Sequence, residues 1–141
     1  MSGKDNFEAL ITSVVNCGFQ LHRQIGPGLL ESVYEILLME SIREAGFYVE
    51  RQVIVPIKYK GTVLDNAFRA DLIVERGLLI ELKSTERNSA VYGKQVLTYL
   101  RLLELPVGIL MNFGQATFKE GLQRIANRYT DPPNRRDAFA S

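Results

Sequence analysis

The segment FRADLIVERGLLIELKS, Phe68 to Ser84, sets two apolar runs, Ala70 to Val74 and Leu78 to Leu82, on either side of Glu75-Arg76-Gly77. Apolar β-rich runs flanking a short polar stretch with glycine predict a β-hairpin. Asp71, Glu81 and Lys83 sit at the edges of these runs. A charge there requires a partner or an ion, because an isolated charge taken out of water costs several kcal/mol. Glu81 and Lys83 are two apart and share a strand face. The loop decides where Asp71 goes. A two-residue turn, Arg76-Gly77, sets Asp71 opposite Leu82 and on the wrong face. A three-residue loop, Glu75 to Gly77, sets it opposite Glu81, with Gly77 expected in the left-handed conformation. The second register is the one adopted here.

In that register two carboxylates converge from neighbouring strands with an amine one step away. Like charges at such separation raise each other's pKa unless a cation lies between them. Carboxylate oxygens suit a hard ion such as Mg²⁺ or Mn²⁺, which keeps several waters and accepts phosphate oxygens as further ligands. Lys83 then lies near an ion-bound water or the phosphate it attacks. These are the parts needed for metal-assisted hydrolysis of a phosphodiester. The competing reading is an ordinary Glu/Lys pair on an exposed strand edge.

Composition bounds the possibilities. The chain has 141 residues, 46% of them hydrophobic, which suits one domain with a sizeable core. A formal net charge of +1 neither supports nor excludes a polyanionic partner. Cys17 and His22 are the only residues of their types, which excludes an internal disulfide and any multi-cysteine or multi-histidine metal site. A helix-end or site-lining place is expected for His22 and a core place for Cys17. The N-terminus lacks the apolar core of a signal peptide, and no apolar run is long enough to span a membrane, so a cytoplasmic protein without membrane contact is expected.

Along the chain, Phe7, Leu10, Ile11, Val14, Val15, Phe19 and Leu21 recur at a helical period over Asn6–Gln24, with Asp5 as the expected N-cap. Ile25-Gly-Pro-Gly28 breaks that helix. A second helix is expected from Leu29 or Leu30 to Glu44, ending at Ala45-Gly46. On it Glu31 and Tyr34 share a face. Glu31 answers the helix dipole in the first turn or, functionally, supplies a third carboxylate with Tyr34 packed beside it. Tyr48–Lys60 reads as a strand with a bulge or edge at Pro56, and Lys60-Gly-Thr62 turns it into the strand carrying Asp71. A third helix over Asn88–Glu104 carries Gln95 and Tyr99 four apart on one face, with Lys94 and Arg101 as nearby positive charge. Val107–Asn112 reads as a buried strand parallel to a neighbour. Ala116–Ala126 reads as a strand interrupted by Gly121, with a helix over Gly121–Tyr129 as the alternative. A single α/β domain is expected over residues 1–129, with helices on both sides of the sheet, and a loose tail over 130–141.

Several ordered blocks resemble the GxxExxY family, small bacterial and archaeal proteins placed in the PD-(D/E)xK nuclease superfamily. Gly28, Glu31 and Tyr34 match the signature within GPGLLESVYE, and the YKG turn, FRADLIVE, IELKS and the late NFG are similar too. The resemblance runs from about Phe7 to Ala126. It implies a restriction-endonuclease-like mixed sheet flanked by helices and a Mg²⁺-dependent (or Mn²⁺-dependent) nuclease. Asp71 then corresponds to the aspartate of the first core strand, and Glu81 and Lys83 to the following E-x-K. The two carboxylates and the backbone carbonyl of Leu82 would hold the ion, with Glu31 completing the site directly or through water. Gln95 and Tyr99 resemble the Q-x-x-x-Y motif of the RecB-like exonuclease branch. The resemblance also implies a nucleic-acid partner, DNA first, and leaves room for a homodimer or larger assembly. Ala70 stands where the superfamily motif has proline. A nuclease-fold binding module without turnover and a hydrolase of small phosphate esters are the competing functions.

Overall fold

The computed structural model describes residues 3–129; the expected tail over 130–141 lies outside the described residues. Helices α1 (Gly3–Ile25) and α2 (Glu31–Glu44) lead into strands β1 (Val49–Tyr59), β2 (Thr62–Val74) and β3 (Leu78–Lys83). Helix α3 (Ala90–Leu103) then crosses to β4 (Val107–Asn112), and a short 3₁₀ turn, Lys119–Gly121, precedes β5 (Leu122–Ala126). The five strands form one sheet in sequence order. Only the β3/β4 pair is parallel, as the intervening helix requires.

The sheet is covered on both faces. Leu10, Ile11 and Val14 of α1 and Tyr34, Leu38 and Ile42 of α2 pack with Leu72, Leu78, Ile80 and Ile109 on one side. Val96, Tyr99 and Leu100 of α3 pack with Ile73, Leu79 and Leu110 on the other. Burial on both faces explains why β3 and β4 read as continuous apolar runs rather than alternating ones.

The β2–β3 hairpin has the three-residue connection. Val74 pairs with Leu78, Ile73 with Leu79 and Leu72 with Ile80, so the register that sets Asp71 against Glu81 is the one present. The left-handed residues are Glu75 (φ 51°) and Arg76 (φ 56°), not Gly77 as expected. Two consecutive positive φ values and the Gly77 N–H bond to the Val74 carbonyl (3.1 Å) match a type I′ turn. Glu75 is held there by its neighbours: its N–H donates to the Tyr48 carbonyl and its carboxylate accepts from the Tyr48 N–H, both at 2.8 Å.

Four other expectations are corrected. Asp5 lies inside the first turn of α1 rather than capping it. Helix α2 starts at Glu31, after Leu30, which makes no side-chain cap. The strand expected from Ala116 is confined to Leu122–Ala126, because Lys119–Gly121 is wound into the 3₁₀ turn and Gly121 lies against the Asn112 carbonyl, where a Cβ would come within 2.1 Å. Arg101 lines a separate cavity with Glu104, Asn127 and Arg128 at the end of α3. At Pro56 the β1/β2 register does shift, between Val55 and Ile57.

Candidate active site at the splayed end of the central hairpin

The β2/β3 ladder is registered only as far as Leu72 and Ile80. Beyond it the two acids take over the backbone's bonding. The Asp71 N–H donates to Glu81 Oε1 at 2.9 Å, and the Leu82 N–H donates to Asp71 Oδ2 at 2.8 Å. Each carboxylate is thereby fixed to the strand that carries the other. Both are buried, 8% and 5% exposed. Burial, partly offset by the Leu82 N–H and reinforced by the charges of Glu35 and Glu31, pushes the Asp71 carboxyl up to about 7. Burial and the Asp71 charge push Glu81 up to about 8, against the smaller opposing effects of the Asp71 N–H and Lys83.

Glu31 joins this group. Its pKa is raised by burial, lowered by Lys83 and raised by Glu35, and its charge acts on both Asp71 and Glu81. With Ser32, Glu35, Arg51, Gln52 and Asp71 it lines a cavity of about 640 Å³. Lys83 is half-buried with its ammonium 4.9 Å from the Tyr92 ring centre.

Tyr99 is 5% exposed and packs on Phe68. Its hydroxyl is raised by burial and by the charges of Glu81 and Asp71 and lowered by a hydrogen bond with Gln95, so both α3 residues belong to the same neighbourhood.

Tyr34 does something different from lining the site. It is fully buried, stacks on Phe113 (4.5 Å, 10° between planes), donates to the Gly26 carbonyl at 2.5 Å and accepts from the Leu29 N–H at 3.2 Å. Gly26 (φ 78°) and Gly28 (φ 114°) allow the chain to loop around that hydroxyl. Tyr34 thus anchors the loop that delivers Glu31.

The loop leaving β3 is fixed by Asn112, 1% exposed. Its Oδ1 accepts from the Thr85 and Gly114 N–H groups, and its Nδ2 donates to Thr85 Oγ1 and Asn88 Oδ1. Gly114 is required because a Cβ would lie 2.3 Å from the Thr85 carbonyl oxygen. The Asn-Phe-Gly block therefore sets the path of the chain just after Lys83.

Three residues at the site were not among the sequence expectations. Glu35, 3% exposed, accepts from Arg51 Nε and from Gln52 Nε2, both at 2.6 Å, and Gln52 Nε2 reaches on to Asp71 Oδ1 at 3.4 Å. One signal was available: Glu31 and Glu35 are four apart on α2 and so share a face.

A family model described as the PD-(D/E)XK nuclease superfamily matches residues 8–125. The chain belongs to the PD-(D/E)XK nuclease superfamily. The mixed five-stranded sheet flanked by helices agrees with the fold of that superfamily. Searches of curated proteins and of solved structures gave no match.

Members of the superfamily generally use divalent metals, and the donor chemistry can be tested on the residues present. Asp71 Oδ1 has the long contact to Gln52, the Asp71 carboxyl also shares a hydrogen bond with Glu35, and Glu81 Oε2 accepts no hydrogen bond from the described residues. An excess of buried carboxylate with Glu81 Oε2 uncommitted suits a hard divalent cation. Among the described residues no three His, Cys, Asp or Glu side chains are gathered closely enough to hold an ion alone. An ion here would depend on backbone, water or phosphate oxygens as well, as Mg²⁺ commonly does.

Proposed function

We propose that the protein is a Mg²⁺- or Mn²⁺-dependent nuclease of the GxxExxY type, acting on nucleic acid, DNA first, in the cytoplasm. The observation that carries this reading is the reciprocal bonding of Asp71 and Glu81 across β2 and β3, which aims two buried carboxylates at one point with Lys83 beside them. Asp71, Glu81 and the Leu82 carbonyl would hold the ion, with Glu31 as a direct or water-mediated ligand. The ion supplies Lewis-acid stabilisation of charge developing on the phosphate and lowers the pKa of its bound water.

Lys83 places the attacking water and balances negative charge as the phosphate reaches its transition state. Glu31 adds the carboxylate from α2. Gln95 fixes the Tyr99 hydroxyl beside the two strand acids, where the pair can orient a phosphate or Lys83. Tyr34 holds the loop from which Glu31 starts. In this reading residues 1–129 act as one domain.

The test is cleavage of single- and double-stranded DNA and RNA with Mg²⁺ or Mn²⁺ by the wild type, Asp71→Ala and Lys83→Ala. Ion-dependent cleavage lost in both variants, with the circular dichroism spectrum kept, is the expected result. Cleavage that survives in both contradicts the mechanism. The lack of a three-ligand cluster among the described residues favours one second reading, a binding module without turnover. Failure to bind Mn²⁺ in calorimetry while DNA or a protein is still bound would select it.

A further inference from the structure

Arg51 is the cation on the α2 side of the acid group, and its setting is unusual for a strand residue. Successive residues of a regular strand point to opposite faces. Arg51 and Gln52 nevertheless bond the same carboxylate, Arg51 Nε to Glu35 Oε2 and Gln52 Nε2 to Glu35 Oε1, both at 2.6 Å. The left-handed backbone of Gln52 (φ 55°) makes this possible. Its neighbours Arg51 and Val53 are paired with Leu72 and Ala70, whereas Gln52 has no partner in the ladder. A non-glycine residue held at positive φ inside a strand is strained, and such outliers cluster at functional sites.

The consequence is a fixed guanidinium. Glu35, almost fully buried, is held through both oxygens and grips Arg51 by Nε alone. The terminal nitrogens of Arg51 make no hydrogen bond to the described residues. The Arg51 side chain is 40% exposed and lines the cavity of about 640 Å³ that Glu31, Gln52 and Asp71 also line. The donors left over on a guanidinium fixed at Nε are the planar pair that matches two oxygens of a phosphate.

We propose that Arg51 binds a backbone phosphate of the nucleic-acid strand beside the Asp71–Glu81 centre, with Glu35 and Gln52 as its positioning residues. This rests on the nuclease reading and deepens it, since it assigns the strand's path to the α2 side of the acids. Arg51 is the cation paired with Glu35, while Lys83 is the one that acts on Glu31 and Glu81. Glu35 and Gln52 touch no substrate: they hold Arg51, and both also bond Asp71.

The experiment measures binding of a fluorescein-labelled DNA duplex and its single strand by anisotropy, with Ca²⁺ in place of Mg²⁺ and the probe checked intact on a gel. Wild type, Arg51→Ala, Arg51→Lys, Glu35→Gln and, as a surface control, Arg43→Ala are compared over a salt series. Mn²⁺ binding to the full chain is measured alongside by calorimetry. Arg51→Ala is expected to weaken DNA binding about 10-fold and to reduce the salt slope by about one, the signature of one lost phosphate contact. Arg51→Lys keeps the slope but not the full affinity, because an ammonium cannot use the fork held by Glu35. Glu35→Gln leaves a charged but unanchored Arg51, so affinity falls several-fold with the slope kept. Unchanged DNA affinity and slope in Arg51→Ala, with Mn²⁺ still bound, overturn this inference and leave the nuclease reading standing. A wild type that binds no Mn²⁺ while Arg51→Ala still lowers DNA affinity and slope overturns the nuclease reading and leaves the Arg51 contact supported. An Arg51-dependent affinity for a nucleoside monophosphate with none for either DNA probe overturns the strand assignment.

Discussion

Glu8 and Asp71 are buried to nearly the same extent, 6% and 8% exposed, but their surroundings differ in kind. Glu8 of α1 faces Arg124 of β5 in a two-pronged pair, 3.2 Å and 2.7 Å, and accepts a further bond from the Tyr129 hydroxyl at 2.6 Å. Arg124 is itself 6% exposed at its side chain. One buried anion there has one buried cation. Asp71 has Glu81, Glu35 and Glu31 around it, with Lys83 and Arg51 half in solvent. A matched buried pair ties α1 to the sheet edge. An excess of buried acid destabilises the fold at that point and suits it to a cation, the kind of stability cost that accompanies function.

The largest expected effect lies on the unmatched side. Asp71→Ala or Lys83→Ala should lower ion-dependent cleavage at least about a hundredfold, the size of loss when one charge-stabilising group is removed. Arg124→Met, on the matched side, should leave that chemistry intact and lower stability by about 3–5 kcal/mol in urea denaturation, because Glu8 is left charged and buried. Replacing both partners, Glu8→Leu with Arg124→Met, should recover most of the loss. If Arg124→Met instead abolished cleavage at temperatures where it is folded, the separation of the two clusters would fail.

The next effect is in pH. The unfolded chain titrates Asp and Glu near their ordinary values, 3.8 and 4.5, while the folded chain holds Asp71 and Glu81 protonated up to about 7 and 8. Protonation therefore favours the fold most fully below about pH 4, and that contribution is lost as pH rises through 7 to 8. Ion-free protein should lose thermal stability between pH 5 and 8.5. Asp71→Asn, which can still accept the Leu82 N–H, should be more stable than wild type at pH 8.5 by about 1–2 kcal/mol and by less at pH 5. Equal stabilities at both pH values would mean that the acids are not held protonated. The smallest effect is expected at Tyr34→Phe. It removes the two hydrogen bonds to Gly26 and Leu29 but not the stacking on Phe113, and should cost about 1 kcal/mol by thermal denaturation.

Much of the hairpin was legible because its apolar runs have fixed lengths and their separation leaves few registers. That reasoning brought Asp71 opposite Glu81, and the continuous apolar run of β4 marked a strand buried on both faces. Spacing on α2 and α3 gave Glu31 and Tyr34 one shared face and Gln95 and Tyr99 another, and in the structure the charges of Asp71 and Glu81 act on Tyr99 and that of Glu31 acts on both acids. What spacing could not supply is the Glu35–Arg51–Gln52 group. It depends on one left-handed glutamine in mid-strand, and a residue type that rarely adopts that backbone gives no local sign of it. The same limit hid the turn at Glu75-Arg76, where bonds to Tyr48 outweigh the ordinary preference for glycine. The bond of Tyr34 to Gly26 is a contact with a preceding loop that periodicity does not encode.

Titration calorimetry of Mn²⁺ into wild type and Asp71→Asn at pH 6, where both acids are still protonated in the ion-free protein, tests the central claim most directly. Binding of one ion with release of protons in the wild type, absent from Asp71→Asn, is the result predicted from two protonated acids that share a cation. No binding by the wild type, or the same affinity in Asp71→Asn, would contradict it.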